Sequence, residues 1–281
     1  MRILITGGGG MLARTLVRRW TMHEVHAPTR AELDITRPER IAAALAGFRP
    51  DAVVHTAAHT KVDLAESEPE RAFALNAHGS AAVAIACHRA GTRLVAISTD
   101  YVFAGDAPRP YHEGDAPGPR TVYGASKLAG EQAVRTHCPD HLIARVAWLY
   151  GAGGPSFVHT MLRLGAQGGA PLRVVADQIG NPTSTDAVAD ALLHLIAIRA
   201  AGTFHLTCQD ETSWCGFAEA IMAASGLGRA VIPCTTAEYP RPAPRPANSR
   251  LAPGALTAYG LPLLPDWRAA LQQFLHDHPA G

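Results

Sequence analysis

Four consecutive glycines, Gly7-Gly8-Gly9-Gly10, follow an apolar run over residues 2–6 and precede an amphipathic stretch that begins at Met11. A chain that turns this sharply from a candidate strand into a candidate helix has few folds open to it. Two spacings can be read, Gly7-x-Gly9 and Gly7-x-x-Gly10-x-x-Ala13. Either lets backbone approach a pyrophosphate at a helix N-terminus, where free N–H groups and the dipole favour an anion. Met11 and Leu12, the first helical residues, share that approach. Glycine-rich loops also occur as plain turns, and the position one strand from the N-terminus is what favours a dinucleotide. Ala13 stands in the place of a third glycine, and its methyl is compatible with close helix–strand packing.

The alternation continues along the chain. Candidate strands over residues 2–6, 24–27, 52–55, 93–98 and 142–146 are separated by candidate helices over 11–20, 38–46, 68–90 and 123–136. Such alternation implies βαβ units and a parallel sheet. The runs are rich in Val, Ile and Leu without clean alternation, as strands buried on both faces require. The expected fold is α/β, a doubly wound, Rossmann-like parallel sheet over residues 1–150. A smaller region over 151–281, intertwined with that core, is expected mainly to bind substrate. It carries candidate helices over 156–164, 185–199, 213–225 and 267–276 and candidate strands over 172–175 and 203–207. Residues 240–246 hold four prolines, none with the i, i+3 spacing of a PxxP ligand, so a structured surface loop is expected.

Composition narrows the class. Hydrophobic residues are 47% of the 281 and charged residues 17%, which excludes a disordered chain. A balance of 25 Lys+Arg against 24 Asp+Glu lacks the basic footprint of a general nucleic-acid binder. The five cysteines form no CxxC and no zinc-type pattern with His, so buried thiols in a reducing compartment, and no metal, are expected. The first apolar run is interrupted by the glycines too soon for a signal peptide. Residues 187–198, broken by Asp190 and His194, fall short of the ~20 needed to span a bilayer. A cytoplasmic enzyme without a membrane or nucleic-acid partner is the resulting expectation.

The position about 20 residues beyond the turn selects the cofactor in dinucleotide folds. Here it is Arg30. A guanidinium suits the 2′-phosphate of NADP and lacks the acceptor that a ribose hydroxyl wants. A solvated surface arginine is the alternative, and Glu32, two residues on, leaves NADH open. Further along, Tyr123-x-x-x-Lys127 places a phenol and an ammonium on one helical face. A tyrosine with a pKa of ~10 exchanges protons near neutrality only if tuned down, and a neighbouring ammonium favours the phenolate. Alone, this spacing is common on solvated helices. Its setting is not, because Ser98-Thr99-Asp100-Tyr101 ends the preceding strand, where open α/β sheets bind ligands.

The ordered set of Gly7-x-x-Gly10, Thr99 and Tyr123-x-x-x-Lys127 resembles the extended short-chain dehydrogenase/reductase superfamily. More narrowly the chain resembles the dTDP-4-dehydrorhamnose reductase family. The local matches include residues 57–66, Ser98-Thr99-Asp100-Tyr101-Val102-Phe103, residues 122–131, Asp177-Gln178-x-Gly180-Asn181-Pro182-Thr183 and residues 245–251. They span nearly the whole chain. The resemblance implies Thr99, Tyr123 and Lys127 as the catalytic set. It implies Asn76 on the cofactor side, Asp34 and Ile35 at the adenine ring, and Ala57 and Ala58 along the cofactor groove. Tyr101 and Trp148 match positions near the hexose ring, and Asn181 and Thr183 are candidate polar contacts of the sugar nucleotide. Each has a plainer alternative: a core polar group for Asn76, a cap for Asp34, ordinary packing for the alanines, a core aromatic for Trp148, a turn around Pro182 for the last pair. His59 departs from the family, which more usually carries Tyr there.

The activity implied is NADPH-dependent reduction of the C4 ketone of a nucleotide-linked 4-keto-6-deoxyhexose, foremost dTDP-4-dehydro-L-rhamnose to dTDP-L-rhamnose. Other readings are a reductase or epimerase of another nucleotide keto-sugar, or an NADP-binding regulatory subunit resembling the partner of methionine adenosyltransferase. A 4,6-dehydratase is disfavoured, because Tyr101 stands where an Asp-Glu pair would need Glu. Partners expected are the nucleotide sugar and, as one option, a second copy of the chain in a homodimer. If Arg30 reads the 2′-phosphate, Arg30→Ala should weaken NADPH far more than NADH, by about 10- to 150-fold for a contact of roughly 1.5–3 kcal/mol. Parallel titrations of the two cofactors measure it, and equal loss for both would remove the assignment.

Overall fold

The computed structural model describes residues 1–278. Six parallel strands form its central sheet, in the order Gly202–His205, β5 (His141–Val146), β4 (Arg93–Thr99), β3 (Ala52–His55), β1 (Arg2–Thr6), β2 (Glu24–His26). The chain leaves β1 towards β2 on one side and returns at β3 to build outward on the other. The order of winding therefore reverses between β1 and β3, and the ligand crevice lies beyond the carboxyl ends of these strands. The sixth strand comes from the second half of the chain. β1 beyond Arg2, β3 and most of β4 are buried, in keeping with the Val/Ile/Leu runs.

Helices cover both faces. α1 (Met11–Arg19) packs on the later helix Thr185–Ala197, with Leu12, Leu16, Trp20, Val188 and Leu192 in one core. α2 (Pro38–Phe48) and the helix Ser80–Ala90 cover the other face through Ile41, Leu45, Val83 and Cys87. The single helix expected over 68–90 is three pieces. A short helix Pro69–Phe73 passes through a π-helical turn, Ala74–Gly79, into Ser80–Ala90. Pro69 fits because the first helical turn needs no N–H from it, and the widened turn rotates Asn76 inward.

In the second half the helices Phe157–Gln167, Thr185–Ala197, Trp214–Ser225 and Trp267–Asp277 lie close to the expected ranges. Serines 156, 184 and 213 and Asp266 cap them, each accepting a backbone N–H of the first turn. The strand Leu172–Val175 pairs with Val231–Cys234, which the pattern did not suggest because Pro233 interrupts it. The proline-rich segment is a loop whose far end reaches inward. Ala243 is buried, and Arg245 pairs with Asp63 at 2.7 Å.

One buried charge pair fixes the helix that carries the Tyr-x-x-x-Lys spacing. Arg145, inside β5, donates from Nε and Nη2 to the two oxygens of Glu131, each at 2.8 Å, and both side chains are 2% exposed. Arg145→Met should therefore cost about 3–5 kcal/mol, because Glu131 is left buried with one partially exposed partner, Arg135. Adding Glu131→Leu should recover much of that loss. Urea unfolding of the two variants measures both effects.

Candidate active site

A cleft of about 1310 Å³ opens at the carboxyl ends of β1, β3, β4 and β5. At one end Gly7 holds φ +74°, and a side chain there would place its Cβ 2.8 Å from the Cα of Ala57. The β1 and β3 loops thus meet backbone to backbone. Gly10 is the N-cap of α1 without a side-chain cap, and its N–H donates to the Gly7 carbonyl at 2.9 Å. The first N–H groups of α1 are left for an anion in the cleft. Gly9 lines the cleft with open space where its Cβ would be, so a ligand can lie against it. Of the two glycine spacings, Gly7-x-x-Gly10-x-x-Ala13 describes the packing, with Ala13 fully buried against the sheet.

Met11, Leu12, Arg30, Asp34, Ile35, Ala57 and Ala58 all line this end. Arg30 is exposed. Glu32 is outside the lining, with its carboxylate accepting the Thr29 N–H at 2.7 Å and hydroxyl at 2.8 Å. Those bonds hold its carboxyl below the usual range. Asp34 is likewise held low by the backbone and hydroxyl of Thr36.

Thr99, Tyr123 and Lys127 meet in the middle of the cleft. Thr99 closes β4 and caps a short 3₁₀ turn, Asp100–Val102, accepting the Tyr101 N–H. Tyr123 and Lys127 project from the helix Val122–His137, capped by Thr121. The Tyr123 ring stands edge-on to Tyr101, centroids 5.5 Å apart. Lys127 Nζ donates to the Ile97 carbonyl at 2.7 Å. Burial pushes the Tyr123 phenol well above its ordinary value, against the pull of the Thr99 hydroxyl. Burial thus outweighs the lowering expected from Lys127. Burial also lowers Lys127, to about 8, while the Glu131 carboxylate one turn further on opposes the shift.

At the far end Trp148 lines the cleft with Phe157 and Trp214, its ring stacked on Trp214 at 3.6 Å and 9°. Trp148 takes a left-handed backbone, φ 47°, unusual for an aromatic residue. Gly180 makes room for it, since a Cβ there would lie 2.5 Å from the indole Cε2. Arg173, Arg241 and Arg245 add positive charge to this end, with Gln178 and Ser249 as polar lining. Gln178, Arg245 and Ser249 fall inside the family-like segments, whereas Phe157 and Trp214 carry no local signal and arrive through tertiary packing.

Three expected site residues lie outside the cleft lining. Asn76 is fully buried behind it, exchanging both backbone bonds with His59, at 2.7 and 3.1 Å, and donating to Ser126 Oγ at 2.9 Å. It ties the loop after β3 to the helix of Tyr123. His59 is drawn into the same buried contact, so its departure from tyrosine falls away from the cleft surface. Asn181 donates to the Asp210 carbonyl and accepts the Leu251 N–H. Thr183 donates to the Asn181 carbonyl and accepts the Cys208 N–H. These bonds lie inside the fold and hold the turn around Pro182, the plainer of the two readings of this pair.

The whole described chain matches one family model, the RmlD substrate binding domain, over residues 1–279. The chain belongs to this family. It is 40% identical to the spore coat polysaccharide biosynthesis protein SpsK of Bacillus subtilis, covering 100% of this chain and 99% of that protein. It is 46% identical to the dTDP-4-dehydrorhamnose reductase of Streptomyces griseus, over 97% of this chain and 92% of that one. The crystal structure of dTDP-4-dehydrorhamnose reductase from Bacillus anthracis in complex with NADP superposes with a TM-score of 0.96 at 37% identity, covering 98% and 99% of the two chains. Among the described residues no helix is long and apolar enough to cross a membrane, and no three His, Cys, Asp or Glu side chains gather as a metal site.

The internal bonding of Asn181 has a measurable consequence. Asn181→Ala should lower unfolding free energy by about 1–3 kcal/mol, the cost of unpaired buried groups, with less than about a twofold change in substrate KM. A large KM change at unaltered stability would restore it to the substrate site.

Proposed function

We propose that the protein reduces the C4 ketone of dTDP-4-dehydro-L-rhamnose to dTDP-L-rhamnose, with NADPH as reductant. The observation that carries this reading is the meeting of Thr99, Tyr123 and Lys127 in one cleft, beside a glycine turn that leaves a helix N-terminus uncapped. The cofactor end fits NADPH. Gly9 and Gly10 leave a cradle for a pyrophosphate, and Arg30 and Arg14 are cations in the lining, while Glu32 is engaged with Thr29. Bound there, NADPH supplies the hydride.

The protein's own groups manage the charge that develops on the ketone oxygen. Tyr123 remains a neutral phenol across the physiological range, the form that can give a proton. Thr99 donates a hydrogen bond to the same oxygen and orients the carbonyl. Lys127 is an ammonium below about pH 8, placed to stabilise the phenolate once the proton has left, and to bind the cofactor's ribose. Trp148, with Tyr101, faces the sugar. The arginines at the far end, Arg173, Arg241 and Arg245, suit the diphosphate of the nucleotide. The complete catalytic set argues against a purely regulatory NADP-binding subunit.

NADPH oxidation with a panel of nucleotide 4-keto-6-deoxyhexoses, with product stereochemistry read by NMR, tests the assignment. Tyr123→Phe should bind NADPH normally while kcat falls about 10²–10⁴-fold. Thr99→Val should also lower kcat at unchanged cofactor affinity, and Lys127→Met should damage both. Near-normal reduction by Tyr123→Phe would refute the mechanism.

A further inference from the structure

Asp100 is a buried carboxylate in the cleft to which the proton and hydride steps above give no role. It lines the cavity at 6% exposure, and its Oδ2 makes no hydrogen bond within 3.5 Å, the Ser249 hydroxyl being its polar neighbour. Its Oδ1 accepts the hydroxyl hydrogen of Thr99 at 2.9 Å. Thr99 Oγ1 in turn accepts the Tyr101 N–H at 3.2 Å. A hydroxyl has one hydrogen to give. While that hydrogen faces Asp100, Thr99 has none for a ketone oxygen.

We propose that Asp100 is a positioning residue for the reduction, whose protonated carboxyl donates to Thr99 and so turns the Thr99 hydrogen towards the substrate. The inference rests on the reductase reading above. With Asp100 protonated, Thr99 accepts from Asp100 and from the Tyr101 N–H and donates into the cleft, so all its bonding capacity is used. With Asp100 ionised, donation to the ketone would strip the carboxylate of the Thr99 bond seen here. No bond to carbon is made or broken, and the carboxyl proton comes from solvent.

The surroundings raise the share of the neutral acid. Among the described residues Asp100 has no ion-pair partner, and a buried unpaired carboxylate is costly. Burial pushes its carboxyl up to about 6, against the hydroxyls of Ser249 and Thr99. The groups facing it are Tyr123 from the Val122–His137 helix, Tyr101 from its own turn and Ser249 from the late segment. Beyond Tyr101, Arg245 and Asp63 are paired with each other at 2.7 Å, so their charges oppose. Lys127 is engaged at the Ile97 carbonyl.

Two measurements on the NADPH-bound enzyme test this. Carbon NMR of labelled aspartate, without substrate, should show the Asp100 carboxyl titrating well above the ordinary ~3.9. The wild-type kcat should then fall by about tenfold per pH unit above that titration, a limb separate from the one Lys127 sets at higher pH. In Asp100→Asn the amide donates to Thr99 at every pH, so kcat should vary less than about twofold between roughly pH 5.5 and 7.5. An unchanged limb in Asp100→Asn, or a carboxyl that titrates in the ordinary range, would overturn the inference. Should Asp100→Asn not fold, the wild-type titration decides alone. A wild type that turns over no keto-sugar at any pH removes the reductase reading instead, which is a different result.

Discussion

The bidentate contact between Arg145 and Glu131 is what allows the helix of Tyr123 to lie against the sheet. That helix carries a phenol, an ammonium and a carboxylate on its buried face, at positions 123, 127 and 131. Spaced four apart, the three project in one line towards β4 and β5. An unpaired carboxylate there would cost more than the packing gains. Arg145 neutralises it from the neighbouring strand, and what remains of the Glu131 field reaches Lys127 and keeps it charged into the range of about 8. The structural pair and the proton chemistry are therefore one arrangement. Burial, which threatens the fold, also keeps the phenol in its acid form, the state that reduction of a ketone consumes.

The reversal of strand order between β1 and β3 sets where that chemistry happens. Gly7 meets Ala57 at backbone distance, so the two loops leave no side chain between the α1 N-terminus and the cleft. The anion cradle of the cofactor end is thereby built from backbone, and the reacting end from side chains at the tip of β4 and on the helix that follows. Asn76 joins the two halves of this floor, binding the His59 backbone on one side and Ser126 on the other. Its place in a π-helical turn is the local irregularity that aims it inward.

Much of this was legible in the sequence because its signals are local. The runs over 2–6 and 52–55 match β1 and β3 residue for residue, and the glycine turn sits where the first helix begins. Thr99, Tyr123 and Lys127 are brought together because each lies at or just after the end of an element whose type was readable. For Asn181 and Thr183 the sequence left two readings open, because a motif does not say whether its residues face a ligand or hold a turn, and the bonds they make belong to the turn. Phe157 and Trp214 were invisible for the opposite reason. Each is an ordinary first residue of a capped helix, and only packing of the second half brings them beside Trp148. Val231–Cys234 was hidden by a proline that an edge strand tolerates.

The two ends of the cleft consequently depend on different kinds of information. The cofactor end needs short-range features: a glycine with positive φ, a bare helix start, an arginine one strand away. The far end needs Trp148 held in a left-handed conformation by the absence of a side chain at Gly180 and by the face of Trp214. It also needs Arg245 anchored by Asp63 across the proline-rich loop. Each of these contacts joins residues far apart in the chain, so a change in any loop of the second half can reshape the wall against the substrate. The proton-transfer groups, fixed by the sheet and by Arg145, would stay where they are. An architecture divided in this way can keep its ketone chemistry constant while the sugar nucleotide it accepts changes.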